Sequence, residues 1–267
     1  MKENITSNTK VRYEVRGPVA LLTLSVPPAN CYSYSLMRDL DDAILKARFA
    51  DGVDVIVLTG EGDRFFCAGA DIAMLSEVTP QFKYNFCLHA NETLLRLEQT
   101  SKLVIAALNG HTVGGGLEVA LACDIRIAWK DHGKIGLPEV GLGVLPGTGG
   151  TQRLPRVIGK SRALELMIGG DLIAMERAKD FGLINEIFEG DDFMDQVIQY
   201  ALSLSRPQKP PRAIGLIKRA VQSGVEIPIN EALALERELQ QQLFLSEDSR
   251  EGLDAFQNKR KPVFKGK

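Results

Sequence analysis

Between Leu103 and Cys123 the chain runs Leu-Val-Ile-Ala-Ala-Leu, then Asn109-Gly-His-Thr-Val-Gly-Gly-Gly, then Leu117-Glu-Val-Ala-Leu-Ala-Cys. The first run is short, apolar and bounded by Gly110, the pattern of a buried strand. The last is short and rich in Leu and Ala, which suits a buried helix. Three glycines therefore stand at a strand-to-helix turn. There the backbone can approach a ligand closely and unpaired N–H groups carry partial positive charge. Such a turn can hold an anion or a developing oxyanion. Glu118 is the one polar residue from Leu117 to Cys123. The helix offers it no wet face, so its carboxylate is expected to be buried.

Around this stretch the pattern alternates. Strands are predicted at Val11–Val15, Val19–Leu24, Val53–Leu58, Leu103–Leu108 and Asp124–Trp129, with a short one near Ile184–Ile187. Helices are predicted at about 35–50, capped by Ser33 or Ser35, and from Gln81 to Thr100. The second carries an apolar side of Phe82, Phe86, Leu94, Leu95 and Leu97. Two tracts read as loops: Gly60 to Asp71, and the glycine- and proline-rich Gly133 to Gly150, which is long enough to be functional. After Thr151 the chain is mainly helical. Ser205 to Arg212 is the one linker-like segment, and helices follow near Ala213–Gln222, Asn230–Leu245 and Asp248–Lys259. Strands alternating with helices, followed by a helical tail, indicate an α/β architecture.

Composition narrows the function classes. With 45% hydrophobic and 25% charged residues and a formal net charge of −2, the 267-residue chain has no electrostatic footprint for nucleic acid or an anionic membrane. The segment Met1 to Lys10 is polar and lacks the apolar stretch of a signal peptide, and no apolar run is long enough to span a bilayer. A cytoplasmic protein is expected. Cys31, Cys67, Cys87 and Cys123 are scattered and read as small buried hydrophobes, and no metal site is expected. Gly141-x-Gly143 is followed by Pro146 where a dinucleotide fingerprint needs Gly. Gly159-Lys160-Ser161 imitates a P-loop ending, but Leu154 stands at the leading Gly. His89, His111 and His132 lack a Gly-x-Ser-x-Gly companion, and His111 reads as structural.

Glu139 in Leu137-Pro-Glu-Val140 is a second acid between apolar neighbours. Two carboxylates in unlike environments are what paired proton transfer requires. On residues alone, Glu118 as a first-turn helix stabiliser and Glu139 as a loop cap remain open.

Four segments carry a resemblance: Phe66-Cys-Ala-Gly-Ala-Asp-Ile72, Asn109-Gly-x-x-x-Gly-Gly-Gly-Leu-Glu-x-Ala-x-Ala-Cys-Asp124, Pro138-Glu-Val-Gly-Leu-Gly-x-x-Pro-Gly-x-Gly-Gly-Thr-Gln-Arg-Leu154, and Phe256-Gln-Asn-Lys-Arg-Lys-Pro-x-Phe-Lys-Gly266. In order and over nearly the whole chain they resemble the enoyl-CoA hydratase/isomerase (crotonase) family, and within it the hydratases, which carry a Glu at both motif positions. The resemblance implies a crotonase-like spiral of β-β-α units over residues 1–205. It also implies a helical C-terminal region, 206–267, that packs against neighbouring subunits as a homotrimer or dimer of trimers. The implied substrate is an acyl-CoA thioester, and no cofactor is implied beyond the coenzyme A that the substrate carries.

By motif position, the N–H groups of Ala70 and Gly115 would form an oxyanion hole. Glu118 would deprotonate water and Glu139 would exchange a proton at the α-carbon. Ala68, Asp71 and Ile72 would contact CoA, Gly147 would hold the water, and Lys259 would meet a CoA phosphate. The implied reaction is reversible syn hydration of a 2-enoyl-CoA in acyl-CoA breakdown. Isomerisation or another acyl-CoA reaction on the same site is the first alternative. A non-catalytic CoA- or RNA-binding protein, with Lys209, Arg212, Lys218 and Arg219 as a solvated basic face, is the second. Two departures from the family pattern stand out. One extra residue falls between the two acids, expected as a hairpin insertion around Lys130 to Lys134. Asn30-Cys-Tyr-Ser-Tyr34 replaces the usual Asn-Ala-Leu entry to the first helix, with Tyr32 and Tyr34 expected to pack. Met74, Leu75, Phe82 and Phe86 would line the acyl pocket, without fixing chain length.

Overall fold

The computed structural model describes residues 9–267. It opens with an antiparallel pair, β1 (Val11–Arg16) and β2 (Val19–Leu24), then α1 (Tyr34–Phe49), β3 (Val55–Gly60), β4 (Phe65–Cys67), α2 (Ile72–Glu77) and α3 (Pro80–Gln99). Next come β5 (Leu103–Leu108), β6 (His111–Val113), α4 (Gly115–Leu121), β7 (Ile125–Trp129), β8 (Lys134–Gly136) and a 3₁₀ turn at Glu139–Leu142. The remainder is α5 (Gly150–Ile158), α6 (Lys160–Gly169), β9 (Ile173–Ala174), α7 (Met175–Asp180), β10 (Glu186–Phe188), α8 (Phe193–Ser203), α9 (Pro211–Gly224), α10 (Ile229–Phe244) and α11 (Glu247–Gln257).

Two sheets result, ordered β1-β2-β3-β5-β7-β10 and β4-β6-β8-β9. Three times in succession the chain finishes a strand of the large sheet, bends, and starts a strand of the small one: β3 to β4, β5 to β6, β7 to β8. That repeat is the expected spiral. The large sheet is buried on both faces, which explains its unbroken apolar runs. Ala20, Leu22, Ile56, Leu58, Val104 and Ala106 join one core with α1 and α3, while Val19, Leu21, Val55, Val57 and Ile105 meet Phe193, Val197 and Ile198 of α8.

The bends stack on one another. A Cβ on Gly110 would lie 2.3 Å from the Arg64 carbonyl carbon, and one on Gly133 would lie 2.3 Å from the His111 nitrogen. Only glycine permits that approach. The buried Asn109 amide donates to the carbonyls of Gly60 and Gly62 and accepts from Gly60 N–H, tying the first bend to the second. His111 is structural, as expected: its Nδ1 accepts from Lys134 N–H at 3.1 Å and fixes the third bend. Residues 130–133 are therefore a corner between sheets. They are not the hairpin expected, because β7 and β8 pair with different neighbours.

Other expectations shift. The two tracts read as loops contain β4, β8 and the 3₁₀ turn, and the glycine stretch contains β6. Helix α3 buries Phe86, Ala90, Thr93, Leu94 and Leu97, whereas Phe82 and Leu95 are exposed. All four cysteines are free, and burial pushes the Cys67 and Cys123 thiols up to about 12. Among the described residues no helix is long and apolar enough to cross a membrane.

The supposed basic face is also corrected. Lys218 is buried, with Nζ 2.8 Å from Asp124 and donating to the carbonyls of Leu97 and Lys102. Asp124 also accepts from Val104 N–H, so one ion pair pins α9 to the start of β5. Breaking a buried pair from one side leaves an uncompensated charge. Lys218→Met is expected to lower unfolding stability by about 3 kcal/mol in urea denaturation. A loss below about 1 kcal/mol would assign Lys218 the minor role of a surface pair.

Candidate active site

The site forms where α4, α5 and the 3₁₀ turn converge. All seven residues of α4 are buried, Glu118 among them. Its carboxylate is satisfied by the tract Pro146 to Gly150. Oε1 accepts from Thr148 N–H at 2.8 Å and from Gly150 N–H at 2.7 Å, and Oε2 accepts from the Thr148 hydroxyl. Gly150 opens α5, so the charge also faces a helix N-terminus. A carboxylate has about four lone-pair positions. Three donors occupy three of them, and one position on Oε2 has no donor among the described residues.

Glu139 is held differently. It opens the 3₁₀ turn, half-buried, with Oε2 buried and without a hydrogen-bond partner among the described residues. Burial pushes its carboxyl up to about 7; the Glu118 charge adds to the rise, while its own backbone N–H and Lys83 oppose it. It sits against the glycine turn: a Cβ on Gly114 would lie 2.9 Å from its Oε1. Gly114 has φ +56° and ψ −129°, a conformation that side-chain-bearing residues avoid. Both acids therefore flank one turn, in unlike environments.

The glycine turn also faces the Ala68–Ala70 segment. A Cβ on Gly69 would lie 3.1 Å from Gly115 N, and one on Gly116 would lie 2.1 Å from the Cys67 carbonyl oxygen. The N–H groups of Ala70 and Gly115 donate no hydrogen bond among the described residues. Ala70 is held by a parallel bridge to Tyr32, whose N–H donates to Gly69 O at 2.9 Å and whose carbonyl accepts from Asp71 N–H at 3.0 Å.

The remaining residues singled out in the sequence divide. Asp71 is the N-cap of α2, accepting from the N–H groups of Ala73 and Met74. Ala68 is half-buried and Ile72 is exposed. Gly147 lies near the site, with Cys87 Sγ 3.3 Å from where its Cβ would be. Lys259 is exposed just beyond the end of α11, a helix that packs on α10. Met74 and Leu75 are partly buried against the core, and Phe86 is core. Tyr32 packs as expected, buried against Phe86, while Tyr34 stays exposed beside Phe82.

Sequence reasoning missed Thr148 and Gly150 as holders of Glu118. It also missed Arg153, which pairs with Glu98 and donates to the Thr148 carbonyl at 3.0 Å, anchoring that tract. The available signal was a polar Thr within the glycines that open an amphipathic helix.

Comparison with known proteins agrees with this geometry. The family model for enoyl-CoA hydratase/isomerase matches residues 14–267. A short-chain-enoyl-CoA hydratase of Clostridium acetobutylicum is 37% identical over 93% of this chain and 94% of its own length. A crotonyl-CoA hydratase of Syntrophomonas wolfei is 35% identical over 94% and 96%. The crystal structure of an enoyl-CoA hydratase from Geobacillus kaustophilus superposes with TM-score 0.95 at 43% identity, covering 98% of each chain. The chain belongs to the enoyl-CoA hydratase/isomerase family.

Proposed function

We propose that the protein is an enoyl-CoA hydratase, a hydro-lyase that adds water reversibly and syn across the double bond of a 2-enoyl-CoA thioester. The observation that carries this reading is the pair of acids flanking one glycine turn. One accepts three hydrogen bonds and keeps one Oε2 position, and the other is half-buried with an unpaired oxygen and held up to about 7. The thioester oxygen rests on the N–H groups of Ala70 and Gly115. Glu118 removes a proton from water through its remaining Oε2 position, and the oxygen attacks the β-carbon. The double-bond electrons shift onto the carbonyl, where the two N–H groups stabilise the enolate. Glu139 then gives its proton to the α-carbon. Ala68 and Ile72 border CoA, Gly147 helps hold the water, and Lys259 meets a CoA phosphate from a neighbouring subunit. No cofactor takes part beyond the substrate's own coenzyme A. Exposed apolar residues of the C-terminal helices, including Ile217, Val221, Leu253 and Phe256, support a homotrimer or dimer of trimers built through 206–267.

The test is turnover of crotonyl-CoA against a 3-enoyl-CoA, followed across pH. Hydration starts with one proton on the pair, on Glu139, and ends with one proton on the pair, on Glu118. Both directions therefore need the singly protonated pair and share one profile. As Glu139 loses its proton above about 7, kcat/KM should fall on the alkaline side by about tenfold per pH unit. A profile flat through that range would remove Glu139 as the acid. Turnover of the 3-enoyl substrate alone would make the enzyme an isomerase.

A further inference from the structure

Tyr32 stands at the junction of everything the site needs. It is 3% exposed and buried among Phe86 and the core. Its backbone is bridged to Ala70. Its ring lies on Gly115 so closely that a Cβ there would sit 2.2 Å from the phenol oxygen. Its hydroxyl is 3.1 Å from Thr148 Oγ1, the same atom that bonds Glu118. Proton order along this chain is fixed by counting. Thr148 has one hydroxyl proton, and Glu118, with both oxygens accepting, draws it. The phenol must then donate to Thr148. Burial, and after it the charge of Glu118, pushes the Tyr32 phenol well above its ordinary value, so it retains the proton it donates.

We infer that Tyr32 is a positioning residue that couples the oxyanion hole to the general base, its ring seating Gly115 and its hydroxyl orienting Thr148 toward Glu118. A threonine hydroxyl left to itself rotates among staggered positions. The phenol occupies one lone pair of Oγ1 and selects the rotamer that aims the proton at Oε2. That contact in turn leaves the last Oε2 position pointing at the water. Neither Tyr32 nor Thr148 touches substrate in this scheme, and both act through Glu118. The inference rests on the hydratase reading above and adds to it two hydroxyls that the proton transfer itself does not require.

A double-mutant cycle on crotonyl-CoA hydration tests it. Tyr32→Phe keeps the ring on Gly115 and removes only the donor; kcat should fall about 3- to 10-fold with KM within about twofold. Thr148→Val removes the hydroxyl but leaves its N–H on Oε1, and should lower kcat about 10- to 100-fold. Thr148→Ser should recover most of that loss. Tyr32→Phe in the Thr148→Val background should add nothing further. Wild-type kcat in Tyr32→Phe, an equal loss in both backgrounds, or a change confined to KM would overturn the relay.

Urea denaturation of the same variants gives a readout that needs no turnover. The midpoint losses of Tyr32→Phe and Thr148→Val should be less than additive, and strict additivity would overturn the bond between them. A wild-type protein inert toward crotonyl-CoA would sink the hydratase reading instead, and the denaturation cycle would then decide the relay on its own.

Discussion

Glu118→Gln is expected to lower kcat for crotonyl-CoA hydration by about 10²–10⁴, the usual share of a general base, with KM within a few-fold of wild type. The local geometry keeps the two backbone contacts and disturbs only the hydroxyl one. An amide oxygen at the Oε1 position keeps the N–H groups of Thr148 and Gly150, and the new NH₂ donates to Thr148 Oγ1, which can accept once its own proton turns away. With the Tyr32 phenol and the new NH₂ both donating to Oγ1, the buried Thr148 proton loses its acceptor, a cost of about 1–3 kcal/mol. The fold should therefore hold with reduced stability, and a saturated acyl-CoA should still bind. What disappears is the one oxygen position left for the proton of water. Steady-state hydration with a binding titration checks this. Turnover at the wild-type rate would take Glu118 out of the mechanism, and a parallel loss of binding would make it structural.

Gly116→Ala should be nearly as damaging while touching neither acid. The residue lies in α4, where alanine is the better helix former by about 1 kcal/mol. The added Cβ, however, would sit 2.1 Å from the Cys67 carbonyl oxygen and 2.8 Å from its carbon. Backbone cannot yield as a side-chain tip would, so α4 and β4 must separate. Overpacking of this kind costs about 1–3 kcal/mol, partly offset by the propensity gain. The same separation draws Gly115 away from Ala70, and loss of one oxyanion donor typically lowers kcat by about 10²–10³. The expected result is a folded protein with a modest stability loss and severely reduced kcat. Gly52→Ala is the control, since a Cβ there meets nothing within 4 Å, and it should change neither property. Wild-type kcat/KM in Gly116→Ala would show that the spacing of the two segments does not control the reaction.

The large sheet was legible because β2, β3 and β5 are buried on both faces and their apolar runs have no competing reading. Strands β4, β6 and β8 have three residues each and lie inside glycine-rich tracts, so no period can emerge. The two acids stood out as isolated charges among apolar neighbours, Glu118 on a helix without a polar face. Their support did not stand out. Thr148 lies 30 residues from Glu118 and 116 from Tyr32, and a threonine among glycines reads as a turn. Lys218 looked like surface because its partner, Asp124, lies on the far side of the spiral in sequence. On α3, Phe82 and Leu95 fit the apolar periodicity yet face outward, since burial of an apolar residue is permitted rather than required.

One detail of the small sheet governs how far apart the acids stand. Strands β6 and β8 pair Thr112 with Ile135 and Val113 with Gly136, and Gly114 N–H closes onto Gly136 O at 2.9 Å. Glu118 follows immediately above that ladder on one side and Glu139 on the other. Their separation is thus indexed from a shared rung and not along the contour of the intervening chain. Slack at the outer corner, where the extra residue falls, is absorbed before the count begins. Slippage of a single rung would displace one acid by about 3.3 Å.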